Sequence, residues 1–406
     1  MFLFDWLMAD NHLMSLLGIS AILGAAVLCS SNRRAINLKL IGAALASQFL
    51  LAFFILKTSI GGMLFSNLSH GIEKVYTFAH DGCSFVFGSL ADASGPWGFV
   101  FAFKVLPIII FFGALMGFLF HIGLVQLVVR AMAFVIRPIF GTSGAETLSV
   151  AANSVLGQTE APLLIKNYLP RMTDSEITTV MVSGMAHLSG AILAVYGLMG
   201  VPILHLLSAS IMAIPGAILI SKLLTPETGE PETMGGSSVK IRRETKNVLD
   251  AISTGTSDGL SLAVNVGAML IAFISLTSLV NAILVACTGW SLNMIFGWVF
   301  CWVAYLIGIA PSETQAAGTL LGQKLVINEF VAYSSMVGMG LSTRAVAILT
   351  YALAGFSNFS CIGIQIGGIG AICPSKRETL TRLGMKALLG GTLANLLNAA
   401  IASLFV

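Results

Sequence analysis

The chain has 406 residues, of which 56% are hydrophobic and only 10% are charged, and its formal net charge is +3. Because a soluble domain usually carries about 25% charged residues, this chain has too few charges to cover a surface that faces water. The composition excludes a cytosolic enzyme, a nucleic-acid-binding protein and a secreted disulfide scaffold. It predicts an all-α polytopic protein that is embedded in lipid.

Apolar runs that can cross the hydrocarbon core recur along the whole chain. A crossing helix needs about 20 predominantly apolar residues. In chain order the candidate spans are 13–29, 36–56, 101–129, 177–199, 202–223, 260–286 and 383–405. Residues 57–98 are mixed in composition and are predicted to form an interfacial, partly helical segment along the membrane. The polar stretch 225–246 separates two halves of the chain.

The orientation of these spans follows from the basic residues, which are enriched in cytoplasmic loops. Asp5 and Asp10 precede the first apolar run, whereas Arg33 and Arg34 follow it. We therefore expect a retained helix whose N-terminus lies outside, and not a cleaved signal peptide. The remaining basic clusters are all predicted to be cytoplasmic, and they lie at 130–137, 240–246 and 376–386.

Two further apolar stretches are interrupted in the middle. Residues 143–170 are broken at 157–162 and residues 295–326 are broken at 308–314, and each break combines Gly, Pro, a hydroxyl residue and Glu. Irregular backbone inside a membrane is tolerated only where it packs in protein or lines a watery cavity. Matching interruptions in two halves therefore predict two re-entrant hairpins of a transporter built on inverted repeats. The alternative is a kink in an ordinary helix, which needs no adjacent glutamate.

Four polar side chains in and after these hairpins suit one class of solute. Gln158, Glu160, Glu329 and Asn358 each offer at least two hydrogen-bonding atoms. They predict a pocket for a small molecule with several hydroxyl and amide groups, because a buried polar site rejects molecules that leave its own atoms unpaired. Polar packing between helices is the alternative, and it is a weak reason to hold glutamates inside a membrane.

Four runs of sequence in this order resemble the concentrative nucleoside transporters. They are GQTEAP at 157–162, NVGAMLIAF at 265–273, NEFVAY at 328–333 and GFSNFS at 355–360. The resemblance extends from Ser31 to the last residue, and the chain length and number of spans are similar to those of the bacterial form.

The resemblance implies an architecture of eight transmembrane helices and two re-entrant hairpins in inverted repeats. It also implies a homotrimer in which a scaffold domain holds a mobile transport domain that moves as an elevator, driven by a cation gradient. The expected division is a scaffold part at 1–130, the first repeat with hairpin 1 at 131–224, a cytoplasmic linker at 225–250, the central scaffold span at 251–290, and the second repeat with hairpin 2 at 291–406.

The resemblance also implies which side chains bind substrate. On the first hairpin, Gln158, Thr159 and Glu160 would contact the nucleobase directly or through water, and Ile192 and Leu262 would supply apolar contact around it. Glu329 and Asn358 would bind the ribose hydroxyls, with Phe356 packing nearby. Cys361 stands where the family has a ribose-binding serine, and a thiol is a weaker hydrogen-bond partner than a hydroxyl.

The expected cation site is the least regular part of the resemblance. Asn153 matches the family's asparagine ligand, and the main chain at Leu156 and Leu188 could supply carbonyl oxygens. His187 stands where a hydroxyl residue is expected. Na⁺ prefers hard oxygen ligands, whereas histidine titrates near neutrality and can relay protons. We therefore expect sodium coupling, with proton coupling through His187 as the alternative.

The patterns predict a multi-pass membrane transporter, and the resemblance implies an inner-membrane symporter that concentrates nucleosides, with uridine-like pyrimidine nucleosides as the expected substrates. No cofactor and no nucleic-acid partner is expected, and the chain is not predicted to be an enzyme. Two other classes stay open. One is an intramembrane enzyme that uses Glu160 and Glu329 as acid and base, and the other is a passive channel.

Overall fold

The computed structural model describes residues 11–91, 100–234 and 245–406. Within these ranges it contains seventeen α-helices and no strands. They are α1 (His12–Leu28), α2 (Leu38–Lys57), α3 (Ser59–Phe87), α4 (Phe101–Lys104), α5 (Leu106–His121), α6 (Leu124–Phe140), α7 (Gly144–Asn153), α8 (Asp174–Ala186), α9 (Gly190–Leu198), α10 (Ile203–Leu224), α11 (Val248–Thr288), α12 (Leu292–Leu306), α13 (Thr314–Val326), α14 (Glu329–Val337), α15 (Thr343–Leu353), α16 (Phe359–Ile372) and α17 (Arg377–Ala402).

Six helical stretches of the described chain are long and apolar enough to cross a membrane. They are Leu38–Lys57, Phe101–His121, Asp174–Leu198, Ile203–Leu224, Val248–Thr288 and Pro374–Ala402. The shorter apolar helices of the described chain include α1 and the consecutive pair α15 and α16. Taking α1 as one crossing and that pair as another gives eight. The predicted fold of eight transmembrane helices with two hairpins is confirmed.

The two halves of the chain repeat the same order of elements. Repeat 1 runs from α6 to α10, and repeat 2 runs from α12 to α17. Each has an opening helix, a helix that ends at an irregular tip, a helix with a central break, and a long closing helix. The tips are residues 154–160 (tip 1) and 327–328 (tip 2), and the breaks are residues 187–189 (break 1) and 354–358 (break 2).

Interlocked caps fix the base of the first hairpin. Ser143 caps α7 and Thr173 caps α8, each in a reciprocal capping box with the glutamate three residues later. The Ser143 hydroxyl also donates to Glu176 at 2.5 Å, which ties the two caps together. Because both helix starts share these partners, tip 1 is held at a defined distance from the start of α8.

The polar centre of the molecule lies among α8, α10 and α17. Every residue of α8 from Ser175 to Ala186 is buried, which is the pattern of a helix that is surrounded by others. Gln48 of α2 donates to Asn398 of α17 at 2.7 Å, and a side chain at Gly216 of α10 would collide with that amide. Close helix approach with small residues and polar contacts is the usual way that membrane helices associate.

The central helix α11 is different, because its packing within the chain is mainly against α5. Gly113 and Gly117 of α5 face Gly255 and Gly259 of α11, so the two backbones touch without side chains between them. Much of the remaining α11 surface is apolar and exposed, as at Ile271, which is 73% exposed. That surface is available to lipid or to another copy of the chain.

The predicted interruption at 308–314 exists, but its predicted depth is wrong. Helices α12 and α13 turn there, and Arg344 at the start of α15 donates to the carbonyl oxygens of Gly308 and Ser403 at 2.6 and 2.8 Å. Glu313 accepts from the backbone N–H and hydroxyl of Ser342. The turn therefore lies level with helix ends, and the second tip that reaches the polar centre is at 327–328. Gly, Pro, Ser and Glu are also typical of helix caps and surface turns. The composition of residues 308–314 therefore did not distinguish a surface turn from a tip inside the membrane.

Parts of the topology prediction concern residues outside the described ranges. Asp5, Asp10 and the basic residues at 240–243 are among them, and so are residues 92–98 of the predicted interfacial segment. The described part of that segment is dominated by α3, a helix of 29 residues.

Candidate functional site

Break 2 and tip 2 together position a buried carboxylate. Glu329 begins α14 and accepts hydrogen bonds from the Tyr196 hydroxyl at 2.9 Å and from Asn358 Nδ2 at 3.1 Å. Asn358 is itself the N-cap of α16 and accepts from the backbone N–H of Cys361. A carboxylate in the first turn of a helix is favoured by the helix dipole. The Glu329 carboxylate is therefore held in one orientation by donors from two elements, α9 and break 2.

Tip 1 contributes neutral amide groups to the same region. The Gln158 side chain donates to Cys361 Sγ at 3.3 Å, and its oxygen accepts from Gln365 Nε2 at 3.0 Å. Gln365 also donates to the carbonyl oxygen of Met181. Gly184 of α8 leaves room for this contact, because a methyl group there would lie 2.7 Å from Gln365 Nε2.

The Glu329–Asn358 pair and the amide of Gln158 on tip 1 meet at the first turn of α16. Cys361 contacts Gln158 through its sulfur, and its N–H bonds Asn358, which in turn holds Glu329. Thr159 packs against the same helix further along, at Gly368. The structure therefore brings together five of the predicted substrate residues on three elements that are far apart in sequence.

The other predicted substrate residues lie on tip 1, α9, α11 and break 2, and none of their side chains forms a hydrogen bond to this cluster within the described chain. Glu160 is exposed and accepts from the N–H of Gly157 at 3.1 Å, a contact within the tip. Ile192 is buried on α9, whereas Leu262 is 38% exposed on α11. Phe356 is half-buried in the middle of break 2.

The predicted cation residues form a second cluster between tip 1 and break 1. Asn153 ends α7 and is buried, and its Nδ2 donates to the Ser183 hydroxyl at 3.2 Å. Its Oδ1 has no hydrogen-bond partner among the described residues. A buried amide oxygen without a partner is costly unless another group satisfies it, so this atom is suited to a hard cation.

His187 lies against the same serine. Its Nδ1 is 2.8 Å from the Ser183 carbonyl oxygen, which can only accept, so Nδ1 carries the proton in this tautomer. Nε2 then presents a lone pair, and it is buried with no hydrogen-bond partner in the described chain. A hydroxyl is present in this cluster at Ser183, one turn earlier on α8, where it accepts from Asn153.

The main chain closes this cluster. Gly190 N–H donates to the Val155 carbonyl oxygen at 3.0 Å, which joins break 1 to tip 1. Leu156 directly follows Val155, Leu188 precedes Gly190 by two residues, and both leucines are buried. Tip 1 of the first hairpin is therefore joined to break 1, between α8 and α9, by a backbone hydrogen bond as well as by side chains.

Sequence reasoning missed Tyr196 and Gln365, which hold Glu329 and Gln158. Both lie in apolar helices, so a polar group in such a run was the available signal. Nothing in the local sequence pairs Gln365 with Gln158, because the two positions are 207 residues apart.

Comparisons with known proteins cover nearly the whole chain. A family model described as "Na+ dependent nucleoside transporter" matches with its N-terminal part at residues 17–90 and with its C-terminal part at 205–403. A model described as "Nucleoside recognition" matches residues 102–202 between them.

Relatives match over the same extent. An uncharacterized transporter of Haemophilus influenzae is 43% identical over 97% of this chain and 98% of its own length. Nucleoside permease NupC of Helicobacter pylori is 38% identical over 98% of this chain and 99% of its own. Sodium/nucleoside cotransporter 1 of Rattus norvegicus is 36% identical over 98% of this chain and 65% of its own.

Solved structures match as well. CNTnw in an inward-facing substrate-bound state superposes with a TM-score of 0.93 at 40% identity, covering 97% of this chain and 98% of that one. A CNTnw variant in an outward-facing state gives the same TM-score at 39% identity over the same shares of the two chains. The chain belongs to the concentrative nucleoside transporter family.

Proposed function

We propose that this protein is a sodium-coupled symporter that concentrates nucleosides, with uridine-like pyrimidine nucleosides as its main substrates. The observation that supports this most directly is the joint cluster of Glu329, Asn358 and Gln158. It offers a carboxylate, amide oxygens and amide N–H groups within one buried region. Such a set suits a solute with adjacent hydroxyls at one end and an amide-bearing ring at the other.

Each predicted residue has a role in this proposal. Glu329 and Asn358 bind the ribose hydroxyls, with Phe356 packing nearby and Cys361 in contact with both ends of the site. Gln158, Thr159 and Glu160 face the nucleobase, directly or through water. Ile192 and Leu262 provide the apolar surroundings. In the structure Gln158 Oε1 accepts a hydrogen bond from Gln365 Nε2, so a nucleobase amide would have to replace that contact.

The coupling ion in this proposal is bound by Asn153 Oδ1 together with carbonyl oxygens near Leu156 and Leu188. Support comes from the unpaired, buried oxygen of Asn153 and from the Ser183 hydroxyl beside it. Because hairpin 1 carries both Asn153 and Gln158, a cation and a nucleoside would each stabilise the same closed hairpin. Either ligand would then raise the affinity for the other.

Proton coupling is the second candidate, and the lone pair at His187 Nε2 favours it. In that case the imidazole, and not Asn153, would carry the coupling charge. The two candidates differ in which gradient drives accumulation.

We further propose that transport uses an elevator motion, in which hairpins and broken helices move against a scaffold of residues 1–130 and 251–290. A homotrimer is part of this proposal, and the exposed apolar surface of α11 is where its subunits would meet in place of lipid. The inner membrane is the proposed location.

The test is uptake of radiolabelled uridine into proteoliposomes under imposed gradients. We expect accumulation above the outside concentration with an inward Na⁺ gradient, and none with a proton gradient alone. Accumulation with the proton gradient alone would replace sodium by His187-dependent coupling. Equilibration without accumulation would indicate a channel, and recovery of a chemically altered solute would indicate an enzyme.

A further inference from the structure

A buried lysine lies close to the substrate cluster without belonging to it. Lys324 is the third residue from the end of α13 and is 3% exposed. Its ammonium group donates to the carbonyl oxygen of Ala352 and to Asn395 Oδ1, both at 2.8 Å. A charge at such a place is costly unless its surroundings compensate for it, so the lysine requires an explanation.

The repeats give Lys324 a counterpart. Asn153 lies at the end of α7, and its side chain reaches Ser183, three residues before the end of α8 at break 1. Lys324 lies near the end of α13, and its side chain reaches Ala352, one residue before the end of α15 at break 2. Both side chains thus join a hairpin to the helix end that precedes the break in the same repeat.

The partners of Lys324 are of the kind that a small cation uses. One is a main-chain carbonyl at a helix C-terminus, and the other is an amide oxygen. Hard cations prefer carbonyl and carboxylate oxygens of this kind. A helix C-terminus also carries partial negative charge, so this position favours a cation of any kind.

The surroundings of Lys324 connect both breaks. Asn395 accepts from the Ser357 hydroxyl of break 2 through Oδ1, and it donates to the Ala186 carbonyl oxygen beside break 1 at 2.8 Å. Gly355, at φ +134°, packs on the same amide and on the carbonyl oxygens of Met185 and Ala186. Glu329 follows Lys324 by five residues, on the other side of tip 2.

We propose that the Lys324 ammonium is a tethered cation that occupies, in repeat 2, the place of the coupling ion in repeat 1. It fastens tip 2 to break 2 permanently, so that Glu329 and Asn358 are positioned without a second mobile ion. Lys324 is therefore a positioning residue, and it does not contact substrate. This inference rests on the cation site proposed above for Asn153.

The experiment compares two replacements of this lysine. Lys324→Ala removes the ammonium but leaves the two oxygens around an open space, whereas Lys324→Met fills that space with an apolar chain. In Lys324→Ala we expect uridine uptake at low Na⁺ to fall by about tenfold or more, because two buried acceptors lose a charged donor. At high Na⁺ we expect uptake to recover, with a Hill coefficient for Na⁺ about one unit above that of the unmodified protein, because a second ion now takes part. Lys324→Met should lose uptake without any recovery.

A fixed counter-charge for Glu329 would give a different result. Both variants would then keep the same reduced uptake, with the Na⁺ dependence of the unmodified protein, and this would overturn the proposal. A second measurement covers the case in which neither variant transports. Purified Lys324→Ala should gain more thermal stability from NaCl, relative to choline chloride, than the unmodified protein does. An equal or smaller gain, or no folded Lys324→Ala protein in NaCl, would also overturn it.

The result is separable from the test of the proposed function. If the unmodified protein were indifferent to Na⁺, the sodium assignment at Asn153 would fail. The tethered-cation inference would still be judged by the difference between the alanine and methionine variants, in which Na⁺ dependence would then appear for the first time.

Discussion

The two tips occupy corresponding places in the repeats, yet their chemistry differs. At tip 1 the groups that reach the polar centre are neutral amides, with Gln158 paired to Gln365 and Asn153 Oδ1 left without a hydrogen-bond partner in the described chain. The one carboxylate of tip 1, Glu160, is exposed and accepts from Gly157 within the tip. The helices on either side of tip 2 carry two ionisable groups, and both Glu329 and Lys324 have their hydrogen-bond partners within the chain. The same architecture thus leaves room for an added charge in one repeat and supplies fixed charges in the other. We infer that the coupling ion binds in repeat 1, whereas repeat 2 positions Glu329 and Asn358 by means of groups within the chain.

The largest effect is expected at the fixed carboxylate. Glu329→Gln should lower uridine uptake by about 100-fold or more, because hydrogen bonds to a charged group are worth about 1.5–3 kcal/mol each and two of them are affected. Uptake into proteoliposomes measures this, with assembly checked by size-exclusion chromatography. Glu313→Gln is the matched control, since that carboxylate caps Ser342 away from the cluster. Normal accumulation by Glu329→Gln would remove Glu329 from the site.

A smaller effect is expected at the open position of repeat 1. Asn153→Ala should raise the Na⁺ concentration for half-maximal uptake by about tenfold, because the variant loses a ligand oxygen and a buried hydrogen bond. Ser154→Ala, at the neighbouring position on tip 1, should leave the Na⁺ response unchanged. An unaltered Na⁺ response in Asn153→Ala, combined with a changed pH profile in His187→Asn, would favour proton coupling.

Replacing the amide of tip 1 sharpens the comparison further. Gln158→Leu should weaken uridine binding by about tenfold, because Gln365 then loses its partner and the nucleobase loses an amide contact. Isothermal titration calorimetry on purified protein would measure it. Gln323→Leu is a matched control, since that buried glutamine bonds Asn293 between α12 and α13 and should affect stability only. Equal binding by Gln158→Leu and the unmodified protein would place the nucleobase elsewhere.

The smallest change in uridine affinity is expected at Cys361, which contacts both Gln158 and Asn358. Cys361→Ser should alter uridine affinity by about two- to fivefold, in the direction of tighter binding, because a hydroxyl is a stronger hydrogen-bond partner than a thiol. Cys301→Ser on α12 should have no such effect. The comparison of Kd values for uridine and 2′-deoxyuridine would show whether the change concerns the ribose. A weaker affinity for both in Cys361→Ser would mean that the thiol acts mainly by packing.

Much of the fold could be predicted because hydropathy and chain order act locally. The spans, tip 1 and the clusters after it follow from runs of apolar residues with a few polar ones between them. The signal failed at tip 2, where Ile327 and Asn328 alone separate α13 from α14. This two-residue break contains neither glycine nor proline, so the local sequence does not indicate that a helix ends there.

The partners within the site could not be predicted, since they join positions far apart in the chain. Lys324 and Asn395 are 71 residues apart, and Gln158 and Gln365 are 207 apart. The charge of Lys324 in an apolar run was visible in the sequence, but the oxygens that receive it were not. One of these is a backbone atom, which every residue carries, so side-chain identity gives no indication of it.

The place of Asn395 near the end of α17 has a consequence for biosynthesis. Helices that carry the rest of the polar centre are made earlier, and segments of a nascent chain enter the membrane before later ones exist. Until α17 is inserted, the Lys324 ammonium group and the Ala186 carbonyl oxygen lack the amide that joins them. The centre of the bundle must therefore stay hydrated, or bind a temporary partner, until the last of these helices arrives.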